Sequence, residues 1–226
     1  MAQGVIRLAG VRGIIARKMS ESLRETAQLS FFSECDASRM IALRQSWSNA
    51  GVRVGYEDII AHSLVRVLVD FPTFNAIETD KGVEPRDAIH VSCAMALDSG
   101  LVAPAIFDTH AKSLVEIAAT RAELLARARA GKLTVQEMTG GTISISNLGL
   151  TRVQYFTPIL NHPQQAIVGL GRIARTPVVG EGDVVTVQPQ MGVSLTVDHR
   201  VHDGAAAGAF LTALVDRLER LEVGVA

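Results

Sequence analysis

The sequence predicts one α/β domain in which a mixed sheet is flanked by helices, and three observations predict it. Apolar residues recur at helical spacing in several stretches before residue 131. The last third mostly alternates apolar and polar residues with period two, the mark of strands. No Pro-, Ala- or Ser-rich linker and no internal repeat divides the 226 residues, so the expected domain spans 1–226.

Taken in order, Val11, Ile15, Met19 and Leu23 mark a first amphipathic helix, followed by a strand over Leu29 to Cys35 and a helix over Ala37 to Ser48. Ile60, Leu64, Val67, Leu68 and Phe71 form the stripe of a third helix, which Pro72 stops from running past Phe71. Short extended pieces follow at Ala76 to Glu78, Ala88 to Leu97 and Leu101 to Phe107, with a hairpin turn at Asp80-Lys81-Gly82. Ser113 and Glu116 form a capping box for a helix that Gly131 ends. Strands are expected at Thr142 to Asn147, Val153 to Phe156, Ala166 to Leu170, Ile173 to Val179, Val184 to Val187 and Gly192 to Asp198. Gly180-Glu181-Gly182-Asp183 makes a turn between two of them, and Phe210, Leu211, Leu214, Leu218 and Leu221 mark a final helix.

Proton chemistry is suggested by Thr196-Val197-Asp198-His199-Arg200-Val201-His202-Asp203-Gly204. Val193, Leu195 and Val197 alternate with Ser194, Thr196 and Asp198, a half-buried strand whose next apolar-side position is His199. Loss of solvent there would keep the imidazole neutral and available as a base, or would simply make it a core histidine. Asp203 stands where the final helix begins and is a natural N-cap. In Thr142-Ile143-Ser144-Ile145-Ser146 the hydroxyls share one face and the isoleucines the other, so the serines read as solvent-facing.

Composition excludes some classes. Lys and Arg number 22 against 23 Asp and Glu, so no broad basic field recommends nucleic acid or an anionic membrane as partner. No apolar run is long enough to cross a bilayer and no secretory leader pattern opens the chain. The expected location is the cytoplasm, or the mitochondrial matrix for a chain whose transit peptide has been removed. Cys35 and Cys93 lack C-x-x-C spacing and read as small buried apolar side chains. His62, His90, His110, His162 and His202 have no ligand spacing around them, so no metal is expected. Gly169-Leu170-Gly171 is too short for a nucleotide loop, and 48% hydrophobic residues suffice for a continuous core.

His199-Arg200-Val201-His202-Asp203-Gly204 resembles the H-R-x-x-D-G signature of the dihydrolipoamide acyltransferases, the core component of 2-oxo acid dehydrogenase complexes. Its shorter form is shared with chloramphenicol acetyltransferase. Arg12 to Met19, Asp98 to Pro104, Gly131 to Thr134, Gly140-Gly141-Thr142, Ile145 to Gly149 and Phe156 to Asn161 resemble further family segments in the same order, over nearly the whole chain. The resemblance implies the chloramphenicol acetyltransferase-like fold and direct acyl transfer between dihydrolipoamide and coenzyme A without an acyl-enzyme. His199 would be the general base, Ser146 the hydroxyl that stabilises the oxyanion, and Asp203 a carboxylate that holds the loop through an ion pair with Arg12. Arg12 and Gly204 would be structural support.

The same resemblance implies a homotrimer, alone or built into an octahedral or icosahedral cage, with each site made by a histidine and a serine from neighbouring chains. Coenzyme A or its acyl ester is then a substrate, and the lipoyl group comes from another domain or protein, since neither a lipoyl domain nor a peripheral-subunit-binding domain is expected within these residues. Lys81 follows Asp80 as a lipoyl-bearing lysine would, but the turn explains that dipeptide more simply. Leu150-Thr151-Arg152 departs from the aromatic residue and glycine common in the family and leaves the acyl group open. Two other readings stand beside this one: a free-standing coenzyme A acyltransferase with a small-molecule acceptor, and a non-catalytic oligomeric scaffold.

Overall fold

The computed structural model describes residues 8–97 and 100–224, so Asp98 and Ser99 of the Asp98 to Pro104 segment lie outside the described residues. Among the described residues, helices α1 (Gly10–Glu25), α2 (Ser38–Asn49), α3 (Tyr56–Val67), α4 (Leu114–Arg129), α5 (Val135–Thr139) and α6 (Gly204–Glu219) accompany ten strands. A six-stranded sheet has the order β1 (Gln28–Asp36), β10 (Val185–Asp198), β9 (Ala166–Val179), β8 (Ile143–Asn147), β4 (Val91–Cys93), β7 (Ala105–Ile106). It is mixed, because β8 runs parallel to both β9 and β4 while the other pairs are antiparallel. Two hairpins stand apart, β2 (Ala76–Thr79) with β3 (Gly82–Pro85), and β5 (Met95–Leu97) with β6 (Gly100–Val102).

Local chemistry sets the helix ends. Ser113 and Glu116 form the expected capping box, the Ser113 N–H donating to Glu116 Oε2 at 2.8 Å. Gly131 at φ +65° takes the left-handed turn that closes the helix. Thr134 and Glu137 cap α5 in the same way, outside the predicted elements. The stripe from Ile60 to Phe71 does not stay helical to its end: α3 stops at Val67, and Phe71 and Phe74 enter the core through a turn. Phe74 stacks on Phe210 of α6 with ring centroids 4.3 Å apart, and Phe71 meets the same ring edge-on at 5.6 Å. Ring packing therefore overrides helical period there.

The two long strands are continuous where interruptions are predicted at Gly171-Arg172 and near Gly192. A Cβ at Gly171 or Gly192 would collide with the Gln154 carbonyl, so these glycines let another segment cross the sheet rather than ending strands. That segment, residues 153–165, is irregular where Val153 to Phe156 is predicted to be a strand. Its apparent alternation comes from pressing on the sheet: a Cβ at Gly169 would meet Phe156 and Pro158.

Both faces of the sheet are thereby covered. Ile143, Ile145, Val168, Leu170, Val193, Leu195 and Val197 pack with α2, α3 and α6 into the main core. The opposite face carries Ser144, Ser194 and Thr196, which are buried instead of solvated. Ser144 donates to Gln164 Oε1 at 2.6 Å, and Thr196 shares a 2.7 Å hydrogen bond with Ser30. Alternation of apolar and polar residues here separates a dry core from a polar layer under the crossing segment, so it does not mark a solvent-exposed side.

Candidate active site

Ser146 sits near the end of β8, half-buried, in register with Gly169 of β9. The chain then turns through hydrogen bonds of its own: Gly149 N–H donates to Asn147 Oδ1 at 2.6 Å, and Leu148 N–H to the Leu170 carbonyl at 2.9 Å. Thr151 closes the turn by donating its hydroxyl to the Leu148 carbonyl at 2.7 Å while accepting from Val153 N–H. The departure at Thr151 thus has a structural task, whereas Leu150 and Arg152 project into solvent.

Behind this turn lies a charge cluster outside the predicted site residues. Asp58, 1% exposed, and Glu57 start α3 and bind Arg121 of α4, with Arg121 Nη2 to Asp58 Oδ2 at 3.0 Å and Nη1 to Glu57 Oε2 at 3.1 Å. Burial pushes the Glu57 carboxyl up, and Arg121 and the Asn147 amide pull it partly back. Burial works against the Arg121 charge, but Asp58 and Glu57 outweigh it and hold the guanidinium above its ordinary value. The available signal was an arginine on an otherwise outward-charged helix, which sequence alone cannot pair with residues 63 positions away. Cys93 beside this cluster is buried and its thiol is pushed up by that burial; Cys35 is likewise buried, with its thiol pushed up to about 12.

His199 is not where strand periodicity predicts. β10 ends at Asp198, and His199 lies exposed in the following turn instead of on the buried side of the strand. The turn forms because Asp198 Oδ1 accepts Arg200 N–H at 3.0 Å and the Asp198 carbonyl accepts Val201 and His202 N–H. The buried imidazole of the motif is that of His202, 2% exposed and stacked on Phe74 at 4.0 Å. Burial lowers its pKa, with Asp198 and Asp203 opposing.

Asp203 does cap α6, accepting Ala206 N–H at 2.8 Å, with Gly204 as the first helical residue. Among the described residues no ion pair joins Arg12 to Asp203; Arg12 lies exposed near the start of α1. The expected Arg12–Asp203 tie is therefore not formed within the chain, where the Asp203 carboxylate caps α6 through Oδ1.

Ser146 and His199 do not meet within one chain either. Gly169, the β9 partner of Ser146, pairs with Ser194, five residues before His199 on β10. Five residues at about 3.3 Å and two strand steps at about 4.8 Å place the two positions about 19 Å apart. A base must lie about 3 Å from the thiol whose proton it takes and an oxyanion donor about 3 Å from the oxygen of the adjoining carbonyl, a span far shorter than that separation. One chain alone cannot supply both to the same carbonyl. Among the described residues no group of three metal-binding side chains converges, and no helix is long and apolar enough to cross a membrane.

The model of the 2-oxoacid dehydrogenases acyltransferase family (catalytic domain) matches residues 2–225. The chain belongs to that family. It is 36% identical over 223 residues to the probable mitochondrial dihydrolipoyllysine-residue succinyltransferase of Schizosaccharomyces pombe, a match covering 95% of this chain and 49% of the relative. The chain spans about half the length of the curated relatives it matches. Among solved structures, the Azotobacter vinelandii dihydrolipoamide acetyltransferase is 29% identical with a TM-score of 0.91, covering 96% of this chain and 92% of that one. The cubic core of a pyruvate dehydrogenase multienzyme complex matches with the same values. Chloramphenicol acetyltransferase, at 17% identity and TM-score 0.55 over 95% of this chain and 99% of that one, shares the fold, as expected.

Proposed function

We propose that the chain transfers an acyl group directly between dihydrolipoamide and coenzyme A, at a site made where two copies meet. The observation that carries this reading is the placement of His199 and Ser146: His199 lies exposed just past the end of β10, Ser146 half-buried near the end of β8, and by strand spacing they are too far apart to act together in one chain. The Azotobacter vinelandii enzyme supports it, having been studied for the catalytic roles of a serine, a histidine and an asparagine. There the serine precedes the histidine by 52 positions and the asparagine follows it by four; here Ser146 precedes His199 by 53 and Asp203 follows by four.

In this mechanism His199 of one chain takes the proton from the attacking thiol, which at a pKa of about 8.5 is mostly protonated at neutral pH. The thiolate adds to the thioester carbonyl, and Ser146 of the adjoining chain donates its hydroxyl to the oxyanion. Collapse breaks the other carbon–sulfur bond, and the imidazolium returns the proton to the departing sulfur. Asp203 and Gly204 contribute by starting α6, which fixes where the His199 loop ends. An Arg12–Asp203 pair belongs to this reading only as a contact made on assembly. A homotrimer, alone or within a cage, is the assembly proposed, each contact between neighbouring chains completing one site; the lipoyl group comes from another domain or protein.

The test is chromatographic, since the number of free thiols does not change during transfer. The assembled protein is incubated with dihydrolipoamide and acetyl-, succinyl- or branched-chain acyl-coenzyme A, and S-acyl dihydrolipoamide is measured against released coenzyme A. Turnover of at least one acyl donor is expected. Assembled protein that turns over none would favour the scaffold reading, and turnover only with a non-lipoyl acceptor the free-standing acyltransferase.

A further inference from the structure

An exposed histidine must be aimed by the residues around it. His199 has no side-chain partner among the hydrogen bonds of the described residues; only its backbone N–H is held, by the Ala27 carbonyl at 2.8 Å. Its two sequence neighbours, by contrast, are tied to each other. Arg200 Nε donates to Asp198 Oδ2 at 2.8 Å and Nη2 to the same oxygen at 2.6 Å, while Arg200 N–H and Ala27 N–H both donate to Asp198 Oδ1. Arg200 Nη2 also reaches Glu78 Oε2 at 2.7 Å, on the β2–β3 hairpin. The same Glu78 oxygen lies 3.1 Å from His162 Nε2, on the segment that crosses the sheet.

We propose that Arg200 is a positioning residue for His199, a brace fixed at Asp198 and at Glu78, with His162 steadying Glu78. The role rests on the acyl-transfer reading. Asp198 is fully buried while the Arg200 side chain is 41% exposed, so the guanidinium reaches inward from the surface and locks the peptide on both sides of His199. A planar fork that engages two carboxylates at once sets an angle as well as a distance, which an ammonium cannot do. The anchors come from three parts of the fold, β10, the β2–β3 hairpin and the crossing segment, so the loop is referenced to the body of the domain. The crossing segment also holds the serine face through Gln164 and Ser144, and thus ties the support of the base to the strand that carries the oxyanion donor.

Loss of Arg200 would leave the buried Asp198 carboxylate unpaired and so lower stability, but stability does not call for the second arm, since the partly exposed Arg200–Glu78 pair contributes little to it. Positioning does, because misplacing a reacting group by about 1 Å costs about 100-fold in rate. Steady-state kinetics of the assembled protein decide between the two, using Arg200→Ala, Arg200→Lys and Glu78→Gln. Arg200→Ala is expected to lower kcat about 100-fold with KM for acyl-coenzyme A unchanged. Millimolar guanidinium in the buffer restores part of the loss, and Arg200→Lys remains well below wild type. Glu78→Gln, remote from the reacting atoms, is expected to lower kcat by about tenfold with assembly intact.

Wild-type kcat in Glu78→Gln overturns the proposal, including in the case where Arg200→Ala fails to assemble. So does a loss in an assembled Arg200→Ala that guanidinium does not relieve. Wild-type protein inactive toward every acyl donor would remove the acyl-transfer reading first and this role with it, an outcome visible before any variant is made.

Discussion

If each site takes its base from one chain and its oxyanion donor from the next, two dead variants should repair each other. Ser146→Ala leaves the histidine intact and His199→Ala leaves the serine intact. Loss of an oxyanion donor lowers kcat by about 10²–10³, and loss of a general base by about 10²–10⁴. Each pure variant should therefore run at about 1% of wild type or less. Coexpressed at equal levels and assembled at random in a ring of head-to-tail contacts, a site is complete when the histidine-bearing side is a Ser146→Ala chain and the serine-bearing side a His199→Ala chain. Each condition holds for half the chains, so about one quarter of sites are restored. The expected signal is about 25% of wild-type turnover, on the order of 25-fold above either parent. The assay is S-acyl dihydrolipoamide formation by the mixed assembly, with composition checked by native mass spectrometry. No recovery in an assembly shown to be mixed would refute the arrangement, and the intrachain separation of about 19 Å would then have to close by a rearrangement of β8 or β10.

Two further outcomes follow from the same geometry. Asp203→Ala removes the cap that accepts Ala206 N–H and should lower stability by about 1 kcal/mol, read from the denaturant midpoint, with Asp203→Asn retaining most of it. His62 has its pKa pushed down to about 4 by burial and by Arg66 and Arg217. The unfolded chain binds this proton near pH 6.5 and the folded chain only near pH 4, so stability should fall as pH drops through that interval and level off below it. The slope of stability against pH across this window should diminish in His62→Asn, and an unchanged slope would contradict the assignment.

Much of the molecule was legible in the chain because it depends on neighbours in sequence. The capping box at Ser113 and Glu116, the Gly131 stop, the Asp203 cap and the separate faces of Ser144 and Ile145 all follow from local backbone chemistry and period. So does the motif that leads to His199. Resemblance named the fold and paired Ser146 with His199, which periodicity could not do.

What only the tertiary structure decided concerns partners far apart in sequence. That the serine face is buried, that Gly171 and Gly192 mark a crossing, and that Val153 to Phe156 is no strand all depend on residues 153–165 returning over the sheet. Which histidine of the motif is buried was settled by Phe74, more than a hundred residues away, stacking on His202 while the ties of Asp198 turn His199 outward. The sequence determined which groups can do chemistry, because acidity and hydrogen-bonding capacity belong to side chains. Their exposure and separation were decided by the folded chain, because both depend on what packs against them.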